Sequence, residues 1–236
     1  MAVLGVVAGR GGSKQFPGKN LALLGGRPLV AWSVRAASAA RTLTETLVST
    51  DDDAIARAAE AAGGAVPFRR PVELARDDTG VVEVLQHAVR WWEAARKDKA
   101  DVVVLLQVTS PLRLPADIDE TVRLLLDSGC DSAQTVALDE THPYHRFRRG
   151  PEGRLEPMFP EAEGIKRRQD SPQVYKPTGA VYAVRRATLM DAGRLHGADR
   201  RGLVRGLEVS VDVDAEADLA LARWYLEQDP GRWPAS

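Results

Sequence analysis

Residues Val3–Ala8 are apolar and largely β-branched, and they run straight into a loop containing Gly9, Arg10, Gly11, Gly12, Ser13 and Lys14. A strand that is apolar on both faces must be covered on both, which is the situation of a central strand in a parallel sheet flanked by helices. A loop leaving the carboxyl end of such a strand faces the crevice where open α/β sheets bind ligands. This one junction therefore sets the fold class as α/β and marks where a ligand belongs.

The rest of the chain repeats the alternation of short apolar runs and helical periods that a helix-covered parallel sheet requires. Helices are expected over Pro28–Ala40, from the acidic run Asp51–Asp53 through Ala62, over Thr79–Arg96, Asp117–Ser128 and Ala215–Gln228. The third of these places Val81, Val84, Leu85, Ala88, Val89 and Trp92 on one face. Strands are expected at Glu45–Thr50, Val66–Phe68, Val102–Gln107, Ala133–Ala137, Gly179–Val184 and Glu208–Val213. With 236 residues and 44% hydrophobic content, residues 1–236 read as one domain. Residues 139–173 break the pattern with Pro, Arg, Glu and Gly, and read as hairpins and turns. Two roles are open to that excursion: a dimerisation element or a lid.

Charge excludes some partners. Thirty-two basic residues against thirty-three acidic ones leave no net field for nucleic acid or an anionic membrane, so anion binding has to be local. Arg146, Arg148, Arg149, Arg167 and Arg168 are interleaved with acidic residues, which argues against a nucleic-acid surface. The four histidines show no metal-ligand spacing, and His142 and His145 read as packing or dimer contacts beside Tyr144 and Phe147. No stretch reaches the roughly 20 apolar residues of a membrane span, and Ala2–Ala8 lacks the basic leader of a secretory signal. A single cysteine, Cys130, excludes an internal disulfide and fits a reducing cytoplasm.

The glycine-rich loop does not follow either of the common phosphate-binding patterns. A Walker A loop would need Gly at Ser13 and Ser or Thr at Asn20, and a dinucleotide fingerprint starting at Gly9 would need Gly at Lys14. Adjacent glycines still let several backbone N–H groups converge on one anion, and Arg10, Lys14 and Lys19 add the charge that a polyphosphate needs. Far along the chain, Asp212 and Asp214 stand two apart on an expected strand, so their carboxylates share a face suited to a divalent ion. Asp214 is also placed to cap the final helix.

Taken together, these segments resemble the acylneuraminate cytidylyltransferases, the CMP-sialic acid synthetase family. The resemblance starts with Ala8–Lys14 and Pro17–Asn20. It continues in order through Ser49-Thr50-Asp51, Arg70-Pro71 with Glu73-Leu74-Ala75, and Leu106-Gln107 with Thr109–Arg113. Arg167–Asp170, Gly179–Tyr182 and Asp212–Asp214 complete it. It implies a Rossmann-like nucleotidyltransferase fold with a mostly parallel sheet flanked by helices, a small inserted dimerisation element, and a homodimer. The implied reaction is attack of an acidic acceptor on the α-phosphorus of CTP, with Mg2+ as cofactor and pyrophosphate leaving. A nine-carbon sugar acid and a small phosphonate such as phosphonoformate are the acceptor classes in view. A non-catalytic nucleotide-binding protein would need neither the loop cations nor the aspartates.

Roles follow residue by residue from the resemblance. Ala8, Arg10, Gly11, Gly12, Ser13 and Asn20 are expected at the nucleotide, with Arg70 near the cytidine. Arg10, Lys14, Lys19 and Asp212 are expected to carry the chemistry, and Asp212 and Asp214 to hold the metal. Gln107, Arg113 and Thr178 are the acceptor-side candidates. Arg113 has two open roles, pairing with an acceptor carboxylate or bracing the Pro111–Pro115 turn. Asp51 likewise either contacts substrate or caps a helix. Thr178 stands where the family commonly has Asn, and Val81 and Val82 where it often has a hydroxyl, so the acceptor side departs most from the pattern.

Overall fold

The computed structural model describes residues 1–139, 141–160, 167 and 170–233. In chain order the elements begin with β1 (Val3–Ala8), β2 (Leu23–Leu24), β3 (Arg27–Pro28), α1 (Leu29–Ala39), β4 (Glu45–Ser49) and α2 (Asp53–Ala61). They continue with α3 (Val81–Arg96), β5 (Val102–Gln107), α4 (Pro115–Ser128), β6 (Ser132–Leu138), β7 (Phe147–Arg149) and β8 (Leu155–Pro157). The last are β9 (Tyr175–Arg185), α5 (Arg186–Met190), β10 (Arg200–Val204) and α6 (Glu216–Gln228).

Six strands form the central sheet in the order β10-β6-β9-β5-β1-β4. β1 pairs parallel with β4 and β5, and β10 pairs parallel with β6, while β9 runs antiparallel to both β5 and β6. Five strands therefore share a direction, and their carboxyl ends meet the amino end of β9 along one edge. Because side chains alternate along a strand, the sheet feeds two cores. Val3, Val7, Val104 and Leu106 pack with Leu29, Trp32, Ile118, Val122 and Leu219 from α1, α4 and α6. Leu4, Val6, Val103 and Leu105 pack with Leu85, Val89, Trp92 and Leu189 from α3 and α5. The apolar face expected for α3 is the face that is buried, and β5 has the expected bounds.

Two expected strands come out differently, and one strand of the central sheet was not expected. Val66–Phe68 is irregular; the sheet is touched only one residue earlier, by a bridge from Ala65 to Leu47. Glu208–Val213 is not a strand: Leu207–Ser210 form a 3-10 turn and the chain then runs irregularly. Val209, Val211 and Val213 are buried at period two as a strand would bury them, yet the Val213 N–H goes to Thr109 O at 2.7 Å rather than into a ladder. The true edge strand is β10, whose Arg200-Arg201-Gly202 sequence is polar and mostly exposed because only one side is paired.

Within the described part of 139–173, β7 and β8 form an antiparallel hairpin, as expected of that excursion. Its base is tied by the His142 ring, whose Nδ1 accepts from Tyr144 N at 3.1 Å, leaving Nε2 to donate to Pro172 O at 2.8 Å. Arg168 and Gln169 of the expected Arg167–Asp170 motif lie outside the described residues, whereas Arg167 pairs with Asp170 at 2.9 Å. Among the described residues no helix is long and apolar enough to cross a membrane.

Asp119 on α4 locks the crossover between α1 and β4. Its buried Oδ1 accepts from Arg41 N, Thr42 N and Thr42 Oγ1, each at 2.8 Å. Replacing it leaves three partly buried donors without their acceptor, so Asp119→Ala is expected to lower the unfolding free energy by about 1–3 kcal/mol in urea titration.

Candidate active site

The register of the sheet assembles the site. Ala8 is paired with Ser49 on one side and with Gln107 on the other, so three separate motifs end in one row at the carboxyl edge. The loop after Ala8 is held close to that row: Gly9 N donates to Ser49 O at 3.2 Å and Gly11 N to Asp51 Oδ1 at 3.1 Å. Gly11 presses against the first turn of α2, where a Cβ would lie 2.8 Å from Asp52 Oδ2, so a side chain there would push the loop away. Gly12 is exposed and Ser13 half-buried on the same loop. Asn20 is buried beneath it, donating from Nδ2 to Arg10 O at 2.8 Å, and its Oδ1 has no partner among the described residues.

The aspartates after β4 divide their work. Asp52 caps α2, accepting from Ala54 N at 2.7 Å and Ile55 N at 2.9 Å. Asp51 is thereby left to hold the glycine loop. Arg70 lies in the same layer, donating from Nε to Ser49 Oγ at 3.1 Å and from Nη2 to Ser49 O at 2.5 Å. Burial lowers its pKa to about 10, against the opposing pull of Asp51, and it remains a cation at neutral pH.

Each loop cation meets a carboxylate from a distant segment. Arg10 Nη2 lies 2.9 Å from Asp77 Oδ1, Lys14 Nζ lies 2.5 Å from Asp77 Oδ2, and Lys19 Nζ lies 2.6 Å from Asp214 Oδ1. Beside them opens a cavity of about 260 Å³ lined in part by Ala8, Arg10, Arg70, Asp77, Val81 and Gln107. That is slightly below the range of about 300–1,000 Å³ usual for small-molecule sites. Another cavity, of about 250 Å³ between α1 and β4, has Glu45 as its charged lining residue. Glu45 is already engaged by Arg96 and Trp92, so the second cavity offers no free charge to a ligand.

On the far side of Gln107 the chain keeps a space clear. Gly179, with φ of +78°, sits where a Cβ would lie 2.7 Å from Ser110 Oγ, 3.1 Å from Gln107 Oε1 and 3.6 Å from Asp212 Oδ2. Any side chain would strain the backbone and fill the gap among those oxygens. Asp212 and Asp214 reach this region on an irregular segment anchored to Thr109 rather than on the expected strand, so their proximity does not come from strand alternation. Asp214 does not cap α6 either: Asp218 Oδ2 accepts from Asp214 N at 3.0 Å and Ala215 N at 2.8 Å, which leaves the Asp214 carboxylate to Lys19. The Asp212 carboxyl is pushed above the ordinary range, mainly by burial of its oxygens and further by Asp214, while the Thr109 hydroxyl and Lys19 act the other way. Tyr182 adjoins the same charge, its phenol raised by burial and then by Asp212.

The structure narrows two acceptor-side expectations. Of the two roles open to Arg113 it displays the brace: the side chain is wholly enclosed and its Nη2 donates to Gln107 O and to Ser110 O in the turn after β5. Burial lowers its pKa to about 9, against Asp117 and Asp212. Thr178 is turned into the sheet, with Oγ1 2.6 Å from Thr135 Oγ1 and accepting from Ala180 N at 3.2 Å. Gln107 remains at the crevice. Asp51, open in the sequence between a substrate contact and a helix cap, leaves the cap to Asp52 and braces Gly11 N, and Asp77 joins the site through its loop cations. Asp77 carries no sequence signal beyond an acidic pair before a helix.

The raised Asp212 pKa has a sign. The folded chain holds that proton more tightly than the unfolded one, so stability declines as pH rises from the unfolded value through the raised folded value. At neutral pH the ionised carboxylate is a net cost. Asp212→Asn is therefore expected to raise the melting temperature at pH 7 while leaving it nearly unchanged near pH 3, as read by calorimetry at both pH values.

Comparison with known proteins bears on this geometry. The family described as Cytidylyltransferase matches residues 4–147. N-acylneuraminate cytidylyltransferase A of Danio rerio is 30% identical over 92% of the chain, which spans only 49% of that protein's length. CMP-N,N'-diacetyllegionaminic acid synthase of Legionella pneumophila is 30% identical, with 96% of the chain and 97% of that protein covered. Among solved structures, a CMP:2-keto-3-deoxy-manno-octonic acid synthetase complexed with CTP has the same fold. It matches with a TM-score of 0.69 at 19% identity, covering 97% of this chain and 100% of that one.

Proposed function

The chain belongs to the cytidylyltransferase family, and from that premise we propose that it transfers CMP from CTP to a sialic-acid-like nonulosonic acid, releasing pyrophosphate. One observation carries the reading: the glycine loop with Arg10, Lys14 and Lys19 meets Asp212 and Asp214 at a single edge of the sheet, through the 2.6 Å contact of Lys19 with Asp214. Phosphoryl transfer needs positioned charge rather than a covalent protein intermediate, and this edge concentrates both signs of it.

In this reading the exposed Gly12 backbone and the three cations bind the triphosphate and neutralise the charge that develops as pyrophosphate leaves, on a loop that Asp51 braces through the Gly11 N–H. Arg70 and the buried Asn20 face the nucleoside. The unpartnered Asn20 Oδ1 suits a hydroxyl donor such as that of a ribose. Gln107 and the space kept clear by Gly179 receive the acceptor. The names of the Danio rerio and Legionella pneumophila relatives support a nine-carbon sugar acid as that acceptor.

The donor set also fits magnesium. Asp212 and Asp214 offer hard oxygens, their mutual repulsion calls for a cation, and the Lys19 ammonium already stands on Asp214 as a monovalent stand-in. Among the described residues no group of three acidic, His or Cys side chains converges, which leaves further coordination to phosphate oxygens and water. When bound there, magnesium would polarise the phosphoryl oxygens. A homodimer accords with the exposed Phe147, Leu155 and Met158 of the hairpin region and with exposed Leu138 and Tyr175, paired at the adjoining ends of β6 and β9. A reducing cytoplasm accords with Cys130 as a lone buried thiol.

Pyrophosphate release is the test. With CTP and magnesium, a panel of nonulosonic acids should support turnover and small phosphonates should not; release with the phosphonates alone would overturn the acceptor class. Lys19→Ala should reduce turnover by roughly 10²- to 10³-fold, the usual effect of deleting one preorganised charge donor. Its unfolding free energy should change by at most about 1 kcal/mol. Near-normal turnover by this variant would contradict the role given to the loop.

A further inference from the structure

We propose that Asp77 is an internal rival of the nucleotide's phosphates: its carboxylate bridges Arg10 and Lys14, so that binding exchanges one anion for another and the carboxylate's return assists pyrophosphate release. The inference rests on the reading of the loop as a triphosphate site and concerns a residue which that reading does not use.

Three observations carry it. First, one carboxylate serves both cations, Oδ1 at 2.9 Å from Arg10 Nη2 and Oδ2 at 2.5 Å from Lys14 Nζ, much as two oxygens of a phosphate would. Second, Asp77 lines the cavity beside the loop together with Arg10, so a triphosphate reaching those cations must enter the space where this carboxylate lies. Third, Asp77 has no structural employment of its own. Asp52 caps a helix and Asp119 gathers three donors, but the Asp77 carboxylate has no partner besides the two cations among the described residues.

The contact is also weak enough to exchange. The side chains of Asp77 and Lys14 are 47% and 82% exposed, and exposed pairs of long side chains are easily displaced. A triphosphate brings several negative charges and oxygens that accept from backbone N–H groups, and so outcompetes a single carboxylate. Pyrophosphate, with fewer contacts once the α-phosphate has gone, competes less well. Asp77 would thus weaken the binding of both substrate and product, and its effect on the product would favour turnover.

A residue that merely orients Arg10 and Lys14 would have the opposite effect on affinity, which makes the sign decisive. Calorimetric titration of the full chain with sodium tripolyphosphate and with pyrophosphate, in metal-free buffer, reads it directly. Asp77→Asn should bind both anions roughly three- to tenfold more tightly than the native chain, with the gain shrinking as salt is raised. Asp78→Asn removes the same charge one residue away and should change affinity less than twofold. Asp77→Ala should repeat the Asp77→Asn result, and unchanged thermal unfolding of each variant shows that the fold is intact. Equal or weaker anion binding by Asp77→Asn overturns the proposal, as does an equal gain in Asp78→Asn. A native chain that binds no tripolyphosphate at all would instead overturn the triphosphate reading beneath it.

Discussion

The register of three parallel strands is the constraint on which the rest of the site depends. Ser49, Ala8 and Gln107 lie side by side because β4, β1 and β5 are paired without offset, buried on both faces and unable to slip without exposing an entire core face. From that row the loop cations, the Asp51 brace and the Gln107 amide take their positions, with Arg70 fastened to Ser49. Shifting β4 against β1 by a residue would separate Asp51 from Gly11 N, and shifting β5 would take Gln107 out of the row.

On that floor the chain sets charges against one another. Asp51 holds a loop N–H, Asp77 holds Arg10 and Lys14, and Asp214 holds Lys19. A loop rich in glycine and cations would otherwise repel itself; these contacts compact it at little energetic cost and leave it able to change partners. Asp212 shows the opposite balance. Its carboxylate is crowded by burial and by Asp214, a state the fold tolerates rather than gains from, as is common where stability and function compete.

Much of this was legible in the sequence, for identifiable reasons. β1 and β5 are central strands whose both-sided burial leaves an unbroken apolar run, and α3 carries its core face at helical spacing. The loop signature and Gln107 sit at strand ends, where pattern and position coincide. The misreadings come from places where a pattern has two physical causes. Val209, Val211 and Val213 are buried at period two without a ladder, while β10 pairs in the sheet with the polar sequence of an edge. Arg113 and Thr178 lie in the right motifs but face inward, and a motif does not state which way a side chain turns. Asp77 was invisible because its importance lies in a contact spanning more than sixty residues of sequence, to Arg10 and Lys14.

Where the nucleotide's phosphates lie is answered most directly by a crystal structure of the chain with CTP and magnesium. The predicted result is a triphosphate on the Gly11–Lys14 stretch and Lys19, with the base in the cleft beside Arg70 and Asp77 withdrawn from Arg10 and Lys14. A nucleotide bound with its phosphates on another element, with the Asp77 contacts intact, would contradict it.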